Sequence, residues 1–355
     1  MELTLTSAMR ERMARLKAGI AGKADCIPIT AQLRHHAAVL EGVSVREFYT
    51  DAETFLETQM RAWERYELDD LSTHFDLYNI EAEALGAPMT WCEGAAPEAD
   101  PARRLLGSID EWTTLRAPAI GQAGRMPYAL EINRRLMDMG LPAKVRFCGP
   151  VTIGAKLMGL DELIVACMTD PDKVHALFTF LCDEVIAPWI VCQREHAIGD
   201  ETAGGADAFA SPPMMTVPML HEFLVPYVER LERSVGKVRL AALWGESTLA
   251  EPAELQDIKR VVYPGMLQAL DPDVGAIGTG VFVRYAKEHD MAMALGIGAG
   301  LIERGPIEAI RERASEFCHA AGRDGKFVLF LNDIPSGTPP EHVHAAVEVA
   351  HSWTF

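Results

Sequence analysis

The chain has 355 residues, 49% of them hydrophobic, and 51 acidic against 33 basic side chains give a formal net charge of −18. Such a surface repels phosphate backbones and anionic lipid, which excludes nucleic-acid and membrane-surface binding through basic patches, while the apolar fraction suffices for a large core. No run of about 18 uncharged apolar residues marks a membrane span, and the first residues lack the basic-then-apolar order of a signal peptide, so a soluble cytoplasmic protein is expected.

In chain order, a helix over 5–19 precedes the first of eight short apolar runs that read as strands: 27–32, 71–75, 144–148, 204–209, 238–243, 266–270, 291–295 and 327–331. Helical periodicity fills the intervals, over 52–67, 128–139, 173–196, 218–234, 252–262, 306–321 and 340–351. Several of these segments carry Pro or an acidic residue in their first turn, where helices favour them. Strand and helix alternating about eight times predict a single (β/α)8 barrel domain spanning 1–355, with a doubly wound open sheet as the alternative. Residues 90–124, rich in Pro, Gly and Asp, read as a rim excursion between the second and third strands. The seven cysteines form no CxxC or dense cluster and read as reduced thiols.

A barrel places its chemistry where strands end. Those ends carry Gln32 and Arg34, His74 and Asp76, Cys148, Asp207 and Ser211, Trp244 and Glu246, and Asn332 with Asp333. Asp76 and His74 lie two residues apart on an extended segment, hence on one side of it, and could act as acid and base; the plainer reading of Asp76 is a helix cap. Glu246 follows Trp244-Gly245 and could protonate a leaving group beside a flat indole wall, or could sit in a first helical turn for electrostatic reasons alone. Asn332 and Asp333 could bind substrate or bond their own turn. Lys156 is a pocket cation or a solvated one, and Cys148 a nucleophile or a small buried thiol. Met214-Met215, beside Ser211, could line a pliable pocket. The glycines of Gly296-Ile-Gly298-Ala-Gly300 do not fit a dinucleotide-binding spacing.

Several segments resemble the uroporphyrinogen decarboxylase superfamily. The stretch Phe327-Val-Leu-Phe-Leu-Asn-Asp-Ile-Pro-Ser-Gly-Thr-Pro-Pro-Glu-His-Val-His344 is similar to its closing strand, polar signature and Thr-Pro-Pro-Glu helix start. Asp69-Asp-Leu-Ser-Thr-His-Phe-Asp-Leu-Tyr-Asn-Ile-Glu-Ala-Glu-Ala-Leu-Gly86 resembles the segment whose aspartate is the decarboxylases' catalytic carboxylate. That residue falls on Asp76, and the Glu-Ala-Glu-Ala-Leu-Gly wording is closer to the corrinoid-linked methyltransferase branch. Gly149-Pro-Val-Thr-Ile-Gly-Ala-Lys156 resembles a strand-to-helix turn near which the decarboxylases have a pocket tyrosine, at Lys156. Asp207-Ala-Phe-Ala-Ser-Pro-Pro with Phe223-Leu-Val-Pro-Tyr227 resembles their Phe-Asp-Ser stretch, with Ser211 in the substrate-contacting place.

The departures redirect the chemistry that the resemblance implies. The arginine-rich N-terminal signature for porphyrinogen carboxylates is replaced by Thr30-Ala-Gln-Leu-Arg-His-His36. The His-x-Cys and distant Cys that hold zinc in the thiol-methylating branch are Ala242-Leu243-Trp244 and Asn332, so no zinc is expected. The resemblance then implies demethylation of a methyl ether or methylamine to a corrinoid, with Asp76, Glu246 and His74 as catalytic candidates. Gln32, Arg34, Cys148, Lys156, Ser211, Trp244, Asn332 and Asp333 are the substrate-binding candidates, a corrinoid protein is a possible partner, and a homodimer is the family's usual assembly. The alternatives are a cofactor-free decarboxylase of a pyrrole or aromatic acid, with Arg34, Lys156, His35 and His36 on carboxylates, and a non-catalytic binder.

Overall fold

Among the described residues, seven parallel strands form two arcs around one axis. In the computed structural model, which describes residues 5–73, 75–76, 78–196, 202–322 and 326–354, the strands are β1 (Ile29–Ala31), β2 (Met89–Thr90), β3 (Glu98–Ala99), β4 (Arg146–Cys148), β5 (Ala203–Ala206), β6 (Val238–Ala241), β7 (Met266–Leu270), β8 (Ala292–Ile297) and β9 (Phe327–Leu331). One arc runs β1-β9-β8-β7 and the other β4-β5-β6, while β2 and β3 form a separate antiparallel pair. β8 and β9 are buried at every position, as parallel strands covered on both faces must be. Helices alternate with the parallel strands, and the order and connectivity are those of a (β/α)8 barrel.

The two arcs meet at two seams, and both are closed by side chains. The predicted strand 71–75 forms no ladder among the described residues. At this seam Asp69 accepts the Ile29 N–H at 2.8 Å, Ser72 accepts the Leu33 N–H at 3.3 Å, and the Asp69 N–H reaches the Ile29 carbonyl at 2.9 Å. Side-chain oxygens thus take N–H groups that a ladder would use, the competition through which Asp and Ser weaken regular structure. At the other seam, β6 and β7 share no ladder among the described residues, and the Lys259 ammonium donates to the Gln268 carbonyl at 3.0 Å while paired with Glu246.

Helix ends follow local signals. Thr6 caps Ser7–Ile20 and Asp51 caps Ala52–Tyr66, each accepting an N–H three residues on. The predicted helix 218–234 is two helices, Val217–Phe223 and Val225–Val235, because Pro226 lacks the N–H needed to continue the first. Pro171–Phe180 runs on through the π-type turn Leu181–Ile186 into Ala187–His196. By length and composition Pro171–His196 could cross a membrane, contrary to the expectation from uncharged runs. Its apolar window is 56% buried against the barrel, however, with Leu177, Phe178, Val185 and Trp189 covered, as in a core helix.

The excursion 90–124 carries β3 and the 3-10 helix Ile109–Thr114. Asn79 ties it to the barrel: its Nδ2 donates to Asp76 at 2.7 Å and to the Pro97 carbonyl at 3.1 Å, and its Oδ1 accepts the Ala99 N–H at 3.2 Å.

Candidate active site at the barrel mouth

A cavity of about 470 Å³ follows the barrel axis. Its upper end, at the carboxyl ends of the strands, is lined by Gln32, Arg34, Tyr78, Trp244, Asn332 and Asp333; Arg146, Arg239 and Met266 line its lower end, with Leu16 and Ile20 of the first helix below. Five of the sequence candidates therefore share one mouth. Small residues on the wall, Gly204, Ala206, Ala241 and Ala294, leave open a space that most such barrels fill with layers of branched side chains.

Arg34 organises the upper end. Its guanidinium donates to Gln32 Oε1 at 3.2 Å, lies 3.4 Å from Asp333 Oδ1, and rests 5.6 Å from the centre of the Tyr78 ring. Burial pushes the Tyr78 phenol above its ordinary range, with Arg34 opposing, so the group is a neutral hydroxyl at pH 7. The backbone is strained here: Arg34, Ala242 and Asp333, all on the cavity wall, have φ of +43°, +65° and +45°. Left-handed backbone in residues with a Cβ costs about 1–3 kcal/mol each and collects at functional sites. The side chain of Asp333 turns to Arg34 rather than to its own turn, while its neighbour Ile334 donates to the Gln32 carbonyl at 3.0 Å and fastens the end of β9 to β1.

Trp244 is held from behind. Ser211 Oγ accepts its backbone N–H at 3.0 Å, the Lys259 ammonium lies 5.1 Å from its ring centre, and Asp273 accepts the backbone N–H groups of Gly245 and Ser247 at 2.8 and 3.1 Å. Gly245, at φ +102°, allows this turn because a Cβ there would lie 2.3 Å from the Pro212 carbonyl oxygen. Ser211 thus fixes the main chain from which the indole projects, and Asp273, which the sequence reading missed, anchors the turn.

The remaining described candidates do not line the cavity. Asp76 is buried, bonded by Arg125 at 2.5 Å and by Asn79, and Arg125 also pairs with Glu83 at 2.6 Å. It holds the excursion in place and does not cap a helix with its side chain. Glu246 is fully buried in its pair with Lys259, and burial raises its carboxyl against the opposing Lys259 charge. Cys148 is covered, its thiol pushed well up by burial and its N–H bonded to Glu81 at 2.8 Å. Glu81 is itself raised by burial to about 8, which leaves it largely protonated at neutral pH. The Lys156 ammonium meets the Glu98 carboxylate on the rim, 5.2 Å from the Phe209 ring centre. His74 lies outside the described residues. His36 is engaged by the Tyr66 hydroxyl at 2.8 Å and the Pro335 carbonyl at 3.1 Å, in a packing role. Among the described residues no three His, Cys, Asp or Glu side chains converge on one point.

The family model described as uroporphyrinogen decarboxylase (URO-D) matches residues 10–250. A methylated-thiol–coenzyme M methyltransferase of Methanosarcina mazei is 23% identical over 254 residues, which cover 70% of this chain and 67% of that protein. The solved structure of a methyltransferase from Methanosarcina mazei matches with a TM-score of 0.75 at 18% identity, covering 96% of this chain and 98% of that one.

Proposed function

The chain belongs to the uroporphyrinogen decarboxylase family, and on that premise we propose that it is a methyltransferase that removes a methyl group from a small methylated ether or amine seated in the barrel mouth. The observation that carries this reading is the mouth itself: an arginine, a neutral phenol, two amides and an indole around a cavity of small-molecule size. The methyltransferase relative supports the reaction class. A corrinoid macrocycle with its side arms does not fit within about 470 Å³. In this reading it is therefore a co-substrate that a partner protein presents at the mouth, where it supplies the nucleophile, and no residue here is assigned to hold it.

What the chain contributes is orientation and charge. As methyl departs, its heteroatom gains an electron pair, and a preorganised donor aimed at that atom lowers the barrier. Tyr78 supplies a neutral O–H for this role, and Arg34, fixed by Gln32 and Asp333, supplies a full charge beside it. Trp244 gives the substrate a flat apolar wall. In this reading Asp76 and Glu246, the acids expected from sequence, are given no acid role, since both carboxylates are turned to buried cations.

The test is anaerobic incubation of the purified chain with cob(I)alamin and a panel of methyl ethers, methylamines and methylated thiols, followed by absorbance. Methyl transfer should depend on one donor class. Arg34→Ala should lower kcat/KM by about 10- to 100-fold, the equivalent of one charge-assisted hydrogen bond. Absence of transfer from every donor class, or an Arg34→Ala enzyme as active as the parent, would remove the proposal.

A further inference from the structure

Two arginines at the lower end of the cavity have no anionic partner among the described residues. Arg146 of β4 is in register with Gly204 of β5, and Gly204 with Arg239 of β6, so the three residues form one row across adjacent strands. At a strand spacing near 4.8 Å the two arginine backbones are about 10 Å apart, close enough for both guanidinium groups to reach one oxyanion. Gly204 makes the room: a Cβ at that position would lie 2.3 Å from Arg146 Nη1. Both side chains line the cavity.

Neither guanidinium is neutralised among the described residues. Arg239 faces the ring of Tyr263 at 5.7 Å, and Arg146 Nε is buried without an acceptor. Asp70, the one carboxylate among the described residues of the lower wall, is engaged by Lys144 at 3.0 Å. In a chain with 18 more acidic than basic residues, two adjacent cations without a carboxylate form a site of opposite sign to the surface. Unpaired like charges repel each other, and a bound anion relieves both.

We propose that Arg146 and Arg239 form an anion site, and that the small molecule held in the cavity carries a carboxylate or similar oxyanion on its inner end. The row lies two residues below the strand ends, which puts the anionic group about 7 Å beneath the reacting methyl end. The inference deepens the function proposed above and rests on it for the methylated end of the ligand; the anion site stands on its own geometry.

Calorimetric titration of the full chain with sulfate, and separately with succinate, at ionic strength fixed by chloride reads the site directly. Saturable binding of one equivalent is expected, weakened about tenfold or more by Arg239→Gln and by Arg146→Gln, and unchanged in Arg233→Gln on an outer helix. Arg239 is exposed, so its variant remains informative should Arg146→Gln fail to fold. If the anion is the substrate's own, sulfate raises KM for the donor and leaves kcat unchanged; an independent anion site would lower kcat instead, and that result would overturn the substrate assignment. Absence of saturable binding of either probe, or equal binding by both variants and the parent, would overturn the site itself. Anion binding without methyl transfer would count against the function proposed above and not against this site.

Discussion

Arg125→Met is expected to lower the unfolding free energy by about 3–5 kcal/mol, the range found when one partner of a buried ion pair is removed. The side chains of Arg125 and Asp76 are 7% and 3% exposed, and the guanidinium serves Asp76 and Glu83 together. Without it the Asp76 carboxylate keeps, among the described residues, the Asn79 amide and stays shielded from water. The Trp91 ring, 5.1 Å from the guanidinium carbon, loses a cation as well. Urea unfolding of the single variant checks the loss, and adding Asp76→Asn should restore more than half of it, since an amide needs no counter-charge. A single-variant loss below about 1 kcal/mol, the size of an exposed pair, would contradict the burial of this network.

Lys259→Met is expected to have an effect of the same size at neutral pH, about 3–5 kcal/mol, because it strands Glu246 behind the seam between β6 and β7. The two side chains are 6% and 1% exposed. The pH dependence has a definite sign. Burial already raises the Glu246 carboxyl in the folded chain, and removing Lys259 takes away the charge that opposes this. A raised folded-state value means that protonation favours the fold, so the deficit should be smallest below the unfolded glutamate value of about 4.3 and should grow as the pH rises above it. Unfolding curves at pH 4.5 and 7.5 measure it. Glu246→Gln in the Lys259→Met background should recover stability at pH 7.5. If Glu246→Gln alone abolished turnover while leaving stability untouched, Glu246 would belong to the reaction rather than to the seam.

The barrel was legible because its strands are short apolar runs that end in polar residues. That punctuation also located Gln32, Arg34, Trp244, Asn332 and Asp333, whose positions at strand ends place them at the mouth whatever their partners are. It could not separate mouth residues from buried ones near the same ends. Glu246 stands two residues after Trp244, yet Gly245 turns the chain and sends its carboxylate to Lys259, thirteen residues on. Asp76 was conspicuous beside the mouth, but its partner Arg125 lies 49 residues away, beyond an excursion without periodicity. The apolar run 71–75 forms no ladder among the described residues, and apolar content does not reveal that Asp69 and Ser72 take the neighbouring N–H groups.

Tyr78, Asp273, Arg146 and Arg239 escaped the sequence reading. A signal for the last two was present. Each arginine sits between apolar residues, in Val145-Arg146-Phe147 and Val238-Arg239-Leu240, on strands whose other face is buried. A charge inside a barrel strand points into the barrel or breaks it, and here the glycine at position 204 admits it.

The most direct test of the central claim is a crystal structure of the chain with the methyl donor identified by the cobalamin assay. The donor should lie on the barrel axis, its methyl group toward the mouth and its heteroatom within hydrogen-bond reach of Tyr78 or Arg34, against the face of Trp244. A donor bound on the outer helices or beneath Leu16 and Ile20, with the mouth filled only by water, would contradict it.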